Sequence, residues 1–518
     1  MGVLFGPSTQ ASLGVNHGQI GAHGVKPARP MDRSPLLPLT TEVNPGIARR
    51  LGRPRTVLDL GCGAGVNGML ARRHGARVTG VEADPALAER AQVVLNRVIR
   101  CAPHDFTSLD AALGSERFDV VLIPYALEQT EEPEALVKQA ARFLAPEGRL
   151  LYSVRNEAAW PLKLGLRREA LGFGALDALG NTRFHSRKNA EQWAQRAGLS
   201  LLESSANPML LKSLRGVLGE DVYASLKPGE AAPTGFRDWS LYEAYQESLL
   251  PFETKAAEWL PSVLAYQHVI TARKAPVNGA LSLTIGMLTM DEEPSVERMI
   301  AEIREQAPDA QLLCVDSSVR DRTPELAARL GARVLRQVPP RGHGPAMELL
   351  MYEAAARSDA LIYLDCDFTY PPSYIPKIRR ILESGADVVN AARIRTRPAA
   401  MPLANYLANR AFVECARALE GIDVADLHSG MRGYRASAIR GFSFDGSGDA
   451  LPIDTLLWPA RSGYRVVEIP IEYQERVGVS KLRKVAGTVW TLVRLGRTLK
   501  VGQRGNGHYE IWDDTERT

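Results

Sequence analysis

Short apolar runs alternate with stretches of helical spacing from Val57 onward, and the alternation runs twice. The segments "TVLDL", "GMLARRHG", "ARVTGVEAD" and "PALAERAQVVLNRVI" read as strand, helix, strand and helix, the order expected of a parallel doubly wound sheet. Further strands are expected at "FDVVLI" and "GRLLYSV", then a helix-rich stretch, then a late strand, "AYQHVITARK", ending near Lys274. After the connecting "APVNGA" the pattern restarts with "LSLTIGML", "AQLLCVDSS", "ARVLRQ" and "ALIYLDCD", each followed by a helix or loop. The predicted fold class is α/β, with two successive doubly wound domains that meet near residues 275 to 280. Residues 1 to about 40 carry Gly, Pro and His without hydrophobic period and read as a disordered leader.

A chain of 518 residues exceeds one ordinary core, which agrees with two large domains. The net charge of +4 and pI near 8.7 lack the dense basic stripe of a nucleic-acid footprint, so no nucleic-acid partner is expected. Five scattered cysteines without a CxxC pair argue against a disulfide framework or structural zinc and fit a cytoplasmic location. No apolar run approaches the roughly eighteen residues of a membrane span, and the N-terminus lacks a signal-peptide layout. The tail "KLRKVAGTVWTLVRLGRTLKVGQR" places Val485, Val489, Leu492, Val493 and Leu499 at helical spacing beside Trp490. Lys481, Arg483, Lys484, Arg494, Arg497, Lys500 and Arg504 add positive charge. Such a helix either packs its stripe on the domain before it or lies at the inner face of a membrane as a peripheral contact.

The first chemical motif is "VLDLGCGAGVNG". Gly61, Gly63 and Gly65 after a buried strand let backbone approach a ligand at the carboxyl end of the sheet. Gly63, Gly65 and Gly68 also satisfy GxGxxG, but a dinucleotide reading starts two residues late and leaves Asp59 unexplained. Glu82, ending the next strand, is placed to accept hydrogen bonds from a ribose diol.

"VLDLGCGAG", "VTGVEADP", "FDVVLIPYALEQTEEPEALV" and "LAPEGRLLYSV" together resemble the class I S-adenosylmethionine-dependent methyltransferases, a Rossmann-like family, over residues 41 to 275. The resemblance implies that Asp59, Gly61, Gly63 and Gly65 surround the methionine part of S-adenosyl-L-methionine, Glu82 the ribose, and Asp105 with Phe106 the adenine. Gln129 stands where the family often has His. Methyl transfer needs alignment and sometimes a base, for which Glu128 and His185 are the candidates.

The second motif is "YLDCDFTYPP". Asp365 and Asp367, hard oxygen ligands one residue apart at a strand end, suit a Mg²⁺ or Mn²⁺ that also touches substrate phosphates. By itself DxD is more often a solvated turn than a metal site; here it follows the strand ends "TMDEE", "VDSSVRDRT" and "RGHGPAM".

With "ADVVNAARIR", "DLHSGMRGYR" and "GYRVVEIPIEYQERVGVSKL", these pieces resemble family 2 glycosyltransferases of the GT-A fold, and among them the polyprenol-phosphate mannose or glucose synthases. By that resemblance Thr289, Glu292 and Asp316 frame the nucleotide of a nucleotide-sugar donor, and Asp365 and Asp367 hold the metal, with Thr369 near its shell. Arg393, Arg432, Arg476 and Lys481 would bind diphosphate or an acceptor phosphate. Asp291 and Ser317 depart from the family's usual Asn and Asp, in the nucleotide cradle. A polyprenyl phosphate acceptor is already anionic and leaves Asp426 to orient it, whereas a glycan alcohol would make Asp426 the base. The expectation is a bifunctional enzyme: leader to residue 40, methyltransferase-like domain over 41–275, GT-A domain over 276–482, and a basic amphipathic helix and tail over 483–518. The alternative, motivated by Gln129, keeps the first domain as a non-catalytic binding module.

Overall fold

The computed structural model describes residues 44–159, 183–208, 252, 256–257, 259–394, 398, 401–475, 484–498 and 509–511. The leader expected before residue 40 lies outside them. Seven strands form the first sheet: β1 (Thr56–Leu60), β2 (Arg77–Val81), β3 (Arg97–Ile99), β4 (Phe118–Ile123), β5 (Leu144–Arg155), β6 (Ser200–Pro208) and β7 (Ala265–Arg273). Their spatial order is β3-β2-β1-β4-β5-β7-β6. The first five run parallel, while β7 is antiparallel to β5 and to β6. Strand order reverses beside β1, which opens a crevice at its carboxyl end.

The helix expected to run through "PALAERAQVVLNRVI" is shorter. It starts with Asp84 accepting from the Leu87 amide and Pro85 in the first turn, and it stops at Val94. Leu95 is extended, and Asn96 exchanges hydrogen bonds with Val78, its side chain accepting at 2.9 Å and its amide donating at 3.1 Å. That clamp draws "RVI" into β3. The polar strand β6, "SLLESSANP", falls in the stretch expected to be helix-rich and is held by its pairing along β7.

The second sheet has eight strands: β8 (Leu283–Thr289), β9 (Gln311–Asp316), β10 (Arg333–Arg336), β11 (Ala360–Asp365), β12 (Val388–Ala392), β13 (Met431–Arg435), β14 (Val466–Pro470) and β15 (Tyr509–Ile511). Their order is β10-β9-β8-β11-β13-β12-β14-β15, with β13 antiparallel to both neighbours. One face buries Ile285, Ile362, Ile378 and Val389. The other buries Leu350, Tyr363, Val388 and Leu456. The central strands β8, β9 and β11 are buried on both faces and read as nearly continuous apolar runs. The edge strand β15, in the tail, pairs with β14, and its Glu510 meets Arg465 at 2.8 Å.

Both sheets belong to one compact unit. Arg273, ending β7, makes a two-pronged pair with Asp387 beside β12, both contacts at 2.6 Å. Arg435, ending β13, pairs with Glu147 near the start of β5. Arg53 donates its amide to the Arg440 carbonyl, pairs with Glu348 at 2.7 Å and lies 4.1 Å over the Tyr352 ring. Gly52 and Gly463 carry positive φ, and an added Cβ would lie 2.3 Å from the Arg440 oxygen or 2.4 Å from that of Leu202. Only glycine allows the two backbones this close.

Candidate functional site

Two crevices carry the residues singled out above. In the first, β1 delivers Asp59 beneath the glycine loop, where Gly61 (φ +71°), Gly63 (φ +55°) and Gly65 (φ +84°) take the left-handed conformation. A Cβ on Gly63 would meet nothing within 4 Å, so that face of the loop is open. Glu82 accepts from the Gly63 amide at 2.8 Å and from Asp84 at 2.9 Å, tying the end of β2 to the loop. Asp59 is fully buried, and neither of its oxygens has a well-formed hydrogen bond among the described residues. Burial pushes its carboxyl up to about 7 against the pull of the Gly68 amide, and the negative charge of Glu82 adds to the push. Two acids behind an open glycine loop suit a ligand that brings positive charge, as the ammonium and sulfonium of S-adenosylmethionine do.

Asp105 caps the helix Phe106–Leu113 by accepting from the Ser108 amide at 3.1 Å and its hydroxyl at 2.6 Å, and these bonds hold its pKa below the usual value. Phe106 is half-buried. Glu128, expected as a base, is instead buried, 2.7 Å from Arg155 and accepting from Gln267 at 3.0 Å. Arg155 and Gln267 thus engage one carboxyl oxygen each. The His185 amide donates to the Arg155 carbonyl at 2.9 Å, and its ring stands edge-on to Trp193 at 5.0 Å. Burial, then the nearby Arg183, lowers its pKa and keeps it neutral. The sequence reading missed Arg155 and Gln267 because they come from β5 and β7, far apart in the chain.

In the second crevice Asp365 ends β11 and Asp367 lies two residues on. Asp367 is buried and accepts from the Thr369 amide (3.1 Å) and hydroxyl (2.5 Å), which fixes one carboxylate oxygen. Gly430 makes room for Asp365: an added Cβ would stand 2.2 Å from the Asp365 oxygen and 2.7 Å from the Tyr370 ring. Among the described residues no three acidic, His or Cys side chains converge on a metal position. Two hard carboxylates with substrate phosphates completing the shell fit Mg²⁺ or Mn²⁺. Asp316 accepts from Thr289 (2.5 Å), Ser318 (2.7 Å) and Arg336 (2.7 Å), so the expected cradle members Thr289 and Asp316 do meet. The Glu292 amide donates to Thr323 at 2.8 Å, and Asp291 accepts from the Val319 and Arg320 amides at 3.1 Å.

Asp426 is enclosed. Arg393 grips it with Nε at 2.7 Å, Nη2 at 3.0 Å and its amide at 3.0 Å, and His428 donates its own amide at 3.0 Å. Burial alone would raise the Asp426 pKa, but the charge and hydrogen bonds of Arg393 outweigh it, and the carboxyl titrates below its ordinary range. Arg432, expected on a phosphate, is fully buried, its guanidinium on Asn390 (2.7 Å) and the carbonyls of Leu427 (2.8 Å) and Pro452. It ties the Asp426 loop to the sheet. Arg476 and Lys481 lie outside the described residues.

The tail helix Lys484–Thr498 presents Thr491, Arg494 and Leu495 to the second domain. Thr491 meets His428 at 3.0 Å. Arg494, expected in the basic surface, is instead buried against Asp454 and the carbonyls of Asp449 and Ser447. Trp490 seats on Gly448, where no Cβ would fit. The outward side shows Val489, Leu492 and Val493, and the helix Leu403–Glu420 shows Leu403, Leu407 and Leu419. No described helix is long and apolar enough to cross a membrane.

Comparison with known proteins matches residues 39–204 to the methyltransferase domain family and residues 284–442 to glycosyl transferase family 2. A dolichyl-phosphate hexose transferase of Haloferax volcanii is 38% identical over 206 residues, 40% of this chain and 88% of that protein. An undecaprenyl-phosphate mannosyltransferase of Micrococcus luteus is 27% identical over 38% of this chain and 84% of its own length. A ubiquinone biosynthesis O-methyltransferase of Coxiella burnetii is 29% identical over 154 residues, 28% of this chain but only 64% of the relative. The chain therefore belongs to the family 2 glycosyltransferases through its second domain, and carries a methyltransferase domain ahead of it.

Proposed function

We propose that the second domain transfers a hexose, with inversion and with Mg²⁺ or Mn²⁺, from a nucleotide sugar to a polyprenyl phosphate, and that the first domain transfers a methyl group from S-adenosylmethionine. The observation that carries the choice of acceptor is the Arg393–Asp426 lock. A carboxylate held ionised below its ordinary pKa by a bidentate arginine is a weak proton acceptor. An alcohol acceptor would need that base, whereas a lipid phosphate attacks without one. A bound divalent ion would neutralise the diphosphate leaving group. Asp365 and Asp367 hold it, Thr369 fixes the Asp367 carboxylate, and Thr289 with Asp316 and Glu292 frames the nucleotide. Arg476 and Lys481 are the remaining cations for phosphate oxygens. The names of the Haloferax and Micrococcus relatives point to the same acceptor class.

The exposed leucines and valines of the two helices beside this crevice suit the headgroup region of a bilayer, where such an acceptor resides. The decisive assay offers the full chain a nucleotide-sugar panel with polyprenyl phosphate in vesicles or with a neutral alkyl glycoside. Transfer to the phosphate alone is expected; transfer to the glycoside alone would overturn the acceptor assignment. For the first domain, Asp59, Glu82 and the Gly63 loop form the cofactor cradle, and calorimetry should show S-adenosylhomocysteine binding without NAD binding. Glu128, locked by Arg155, favours a methyl acceptor that needs no base, or a domain that binds cofactor without transferring it. A labelled-methyl assay separates the two.

A further inference from the structure

Among the described residues, the contacts between the domains gather at one edge of each sheet. From the first domain come Arg53 before β1, Glu147 and Arg149 in the lower part of β5, Leu202 near the start of β6 and Arg273 at the end of the antiparallel β7. In register, Arg149 stands opposite Arg273, and Arg273 opposite Ser200, so these positions share the edge where the parallel strands begin. From the second domain come Asp387 before β12, Arg435 ending the antiparallel β13, and Tyr464 before β14. Ala360, which starts β11, pairs with Arg435, and Val388 with Val466, so these too mark the edge where the parallel strands begin. Each crevice lies at the opposite edge, after β1, β2 and β4 in one domain and after β8, β9 and β11 in the other. The domains are packed base to base with their crevices turned apart.

The joint is built for close fit. Glu147, in the left-handed conformation at φ 59°, accepts from both Arg435 and Ser437, and Arg273 also lies 4.8 Å over the Tyr464 ring. The glycine contacts at Gly52 and Gly463 bring backbone against backbone. Swinging one crevice toward the other would separate all of these groups together.

We infer that the two sites do not hand a product to one another within one molecule, and that the methyltransferase crevice takes an acceptor presented from the side away from the sugar-transfer site. The inference rests on the assignment of the two activities above for its chemistry, and on the base-to-base joint for its geometry. β4 and β9 each have six residues, so in a base-to-base arrangement roughly 40 Å of strand in total lies between the loops beyond their far ends. A lipid-linked hexose embedded beside the second crevice cannot reach the first without leaving the protein.

Two measurements on the full chain test it. Spin labels at Glu131→Cys, after β4, and Val319→Cys, after β9, both exposed, are introduced with Cys101 and Cys415 replaced by Ser. One narrow distance distribution longer than about 35 Å, unmoved by S-adenosylhomocysteine or by nucleotide with Mg²⁺, is expected; a short or ligand-induced short population overturns the geometry whatever the activities prove to be. The second measurement supplies polyprenyl phosphate vesicles, nucleotide sugar and labelled S-adenosylmethionine to the native chain. It is compared with an equal mixture of Gly63→Trp and Asp367→Asn chains at matched active-site concentration. Label in the sugar lipid no greater for the native chain than for the mixture, including none in either, supports the inference. A burst of doubly modified lipid that the native chain gives and the mixture lacks overturns it.

Discussion

Beneath the first glycine loop Asp59 is buried with no well-formed hydrogen bond on either oxygen among the described residues, whereas in the second crevice Asp316, Asp367 and Asp426 each accept several hydrogen bonds from their own domain. The contrast separates two ways of preparing a site. An unmatched buried acid is costly until a cationic ligand arrives, so the first domain is poised to gain stability from the proposed cofactor. Acids already matched by arginine, threonine and serine keep their geometry before any ligand binds, which suits an electrostatic transfer site that must not reorganise.

Breaking the matched side should have the largest effect. Arg393→Ala leaves Asp426 buried without its main partner and should lower stability by about 3–5 kcal/mol, read from the denaturant midpoint. Asp367→Asn keeps the loop's shape but removes charge from the proposed metal shell. Sugar transfer should fall on the order of 10²–10³-fold with an unchanged melting curve, and chelator should do the same to the native chain. Retained transfer in that variant with chelator present would remove the metal from this loop.

The unmatched side predicts a pH effect of definite sign. The Asp59 carboxyl is raised from 3.8 to about 7 in the fold, so above about pH 4 the folded form keeps a proton that the unfolded chain has lost. This group's contribution to stability is therefore full below that pH and falls as pH rises toward 7, by up to about 1.4 kcal/mol per pH unit. Asp59→Asn should flatten that part of the cofactor-free stability profile, and S-adenosylhomocysteine, with its ammonium, should restore stability to the native chain at pH 8 but not to the variant. The smallest effect concerns the outer surface: Leu407→Ser with Leu492→Ser should weaken sedimentation with anionic vesicles roughly thirtyfold, at about 1 kcal/mol for each of the two buried apolar side chains lost, and leave the melting curve in place.

Legibility followed the distance over which each feature is encoded. The glycine loop and the aspartate pair were readable because each is a continuous phrase at the end of an apolar strand. β6 and β13 were not, since "SLLESSANP" and "MRGYR" lack apolar alternation and owe their strand form to partners elsewhere in the chain. The two lock residues, Arg393 and Asp426, were each legible in their own motifs, but they stand 33 positions apart, so no local pattern announces that they pair. Arg494 and Trp490 looked like surface residues because helical spacing says which side chains share a face, but not which face meets the core. Asp454 and Gly448 decide that, and both lie far upstream.

The base-to-base joint also bears on how such a chain can diversify. Loops that choose substrates grow from the far edges of both sheets, while the residues that weld the halves, from Gly52 and Glu147 to Asp387 and Gly463, sit at the opposite edges. Selection can therefore rewrite the specificity of one crevice without touching the weld or the other crevice. A damaged weld, by contrast, is felt by both domains at once, so the two halves inherit a common thermal fate while their crevices drift independently.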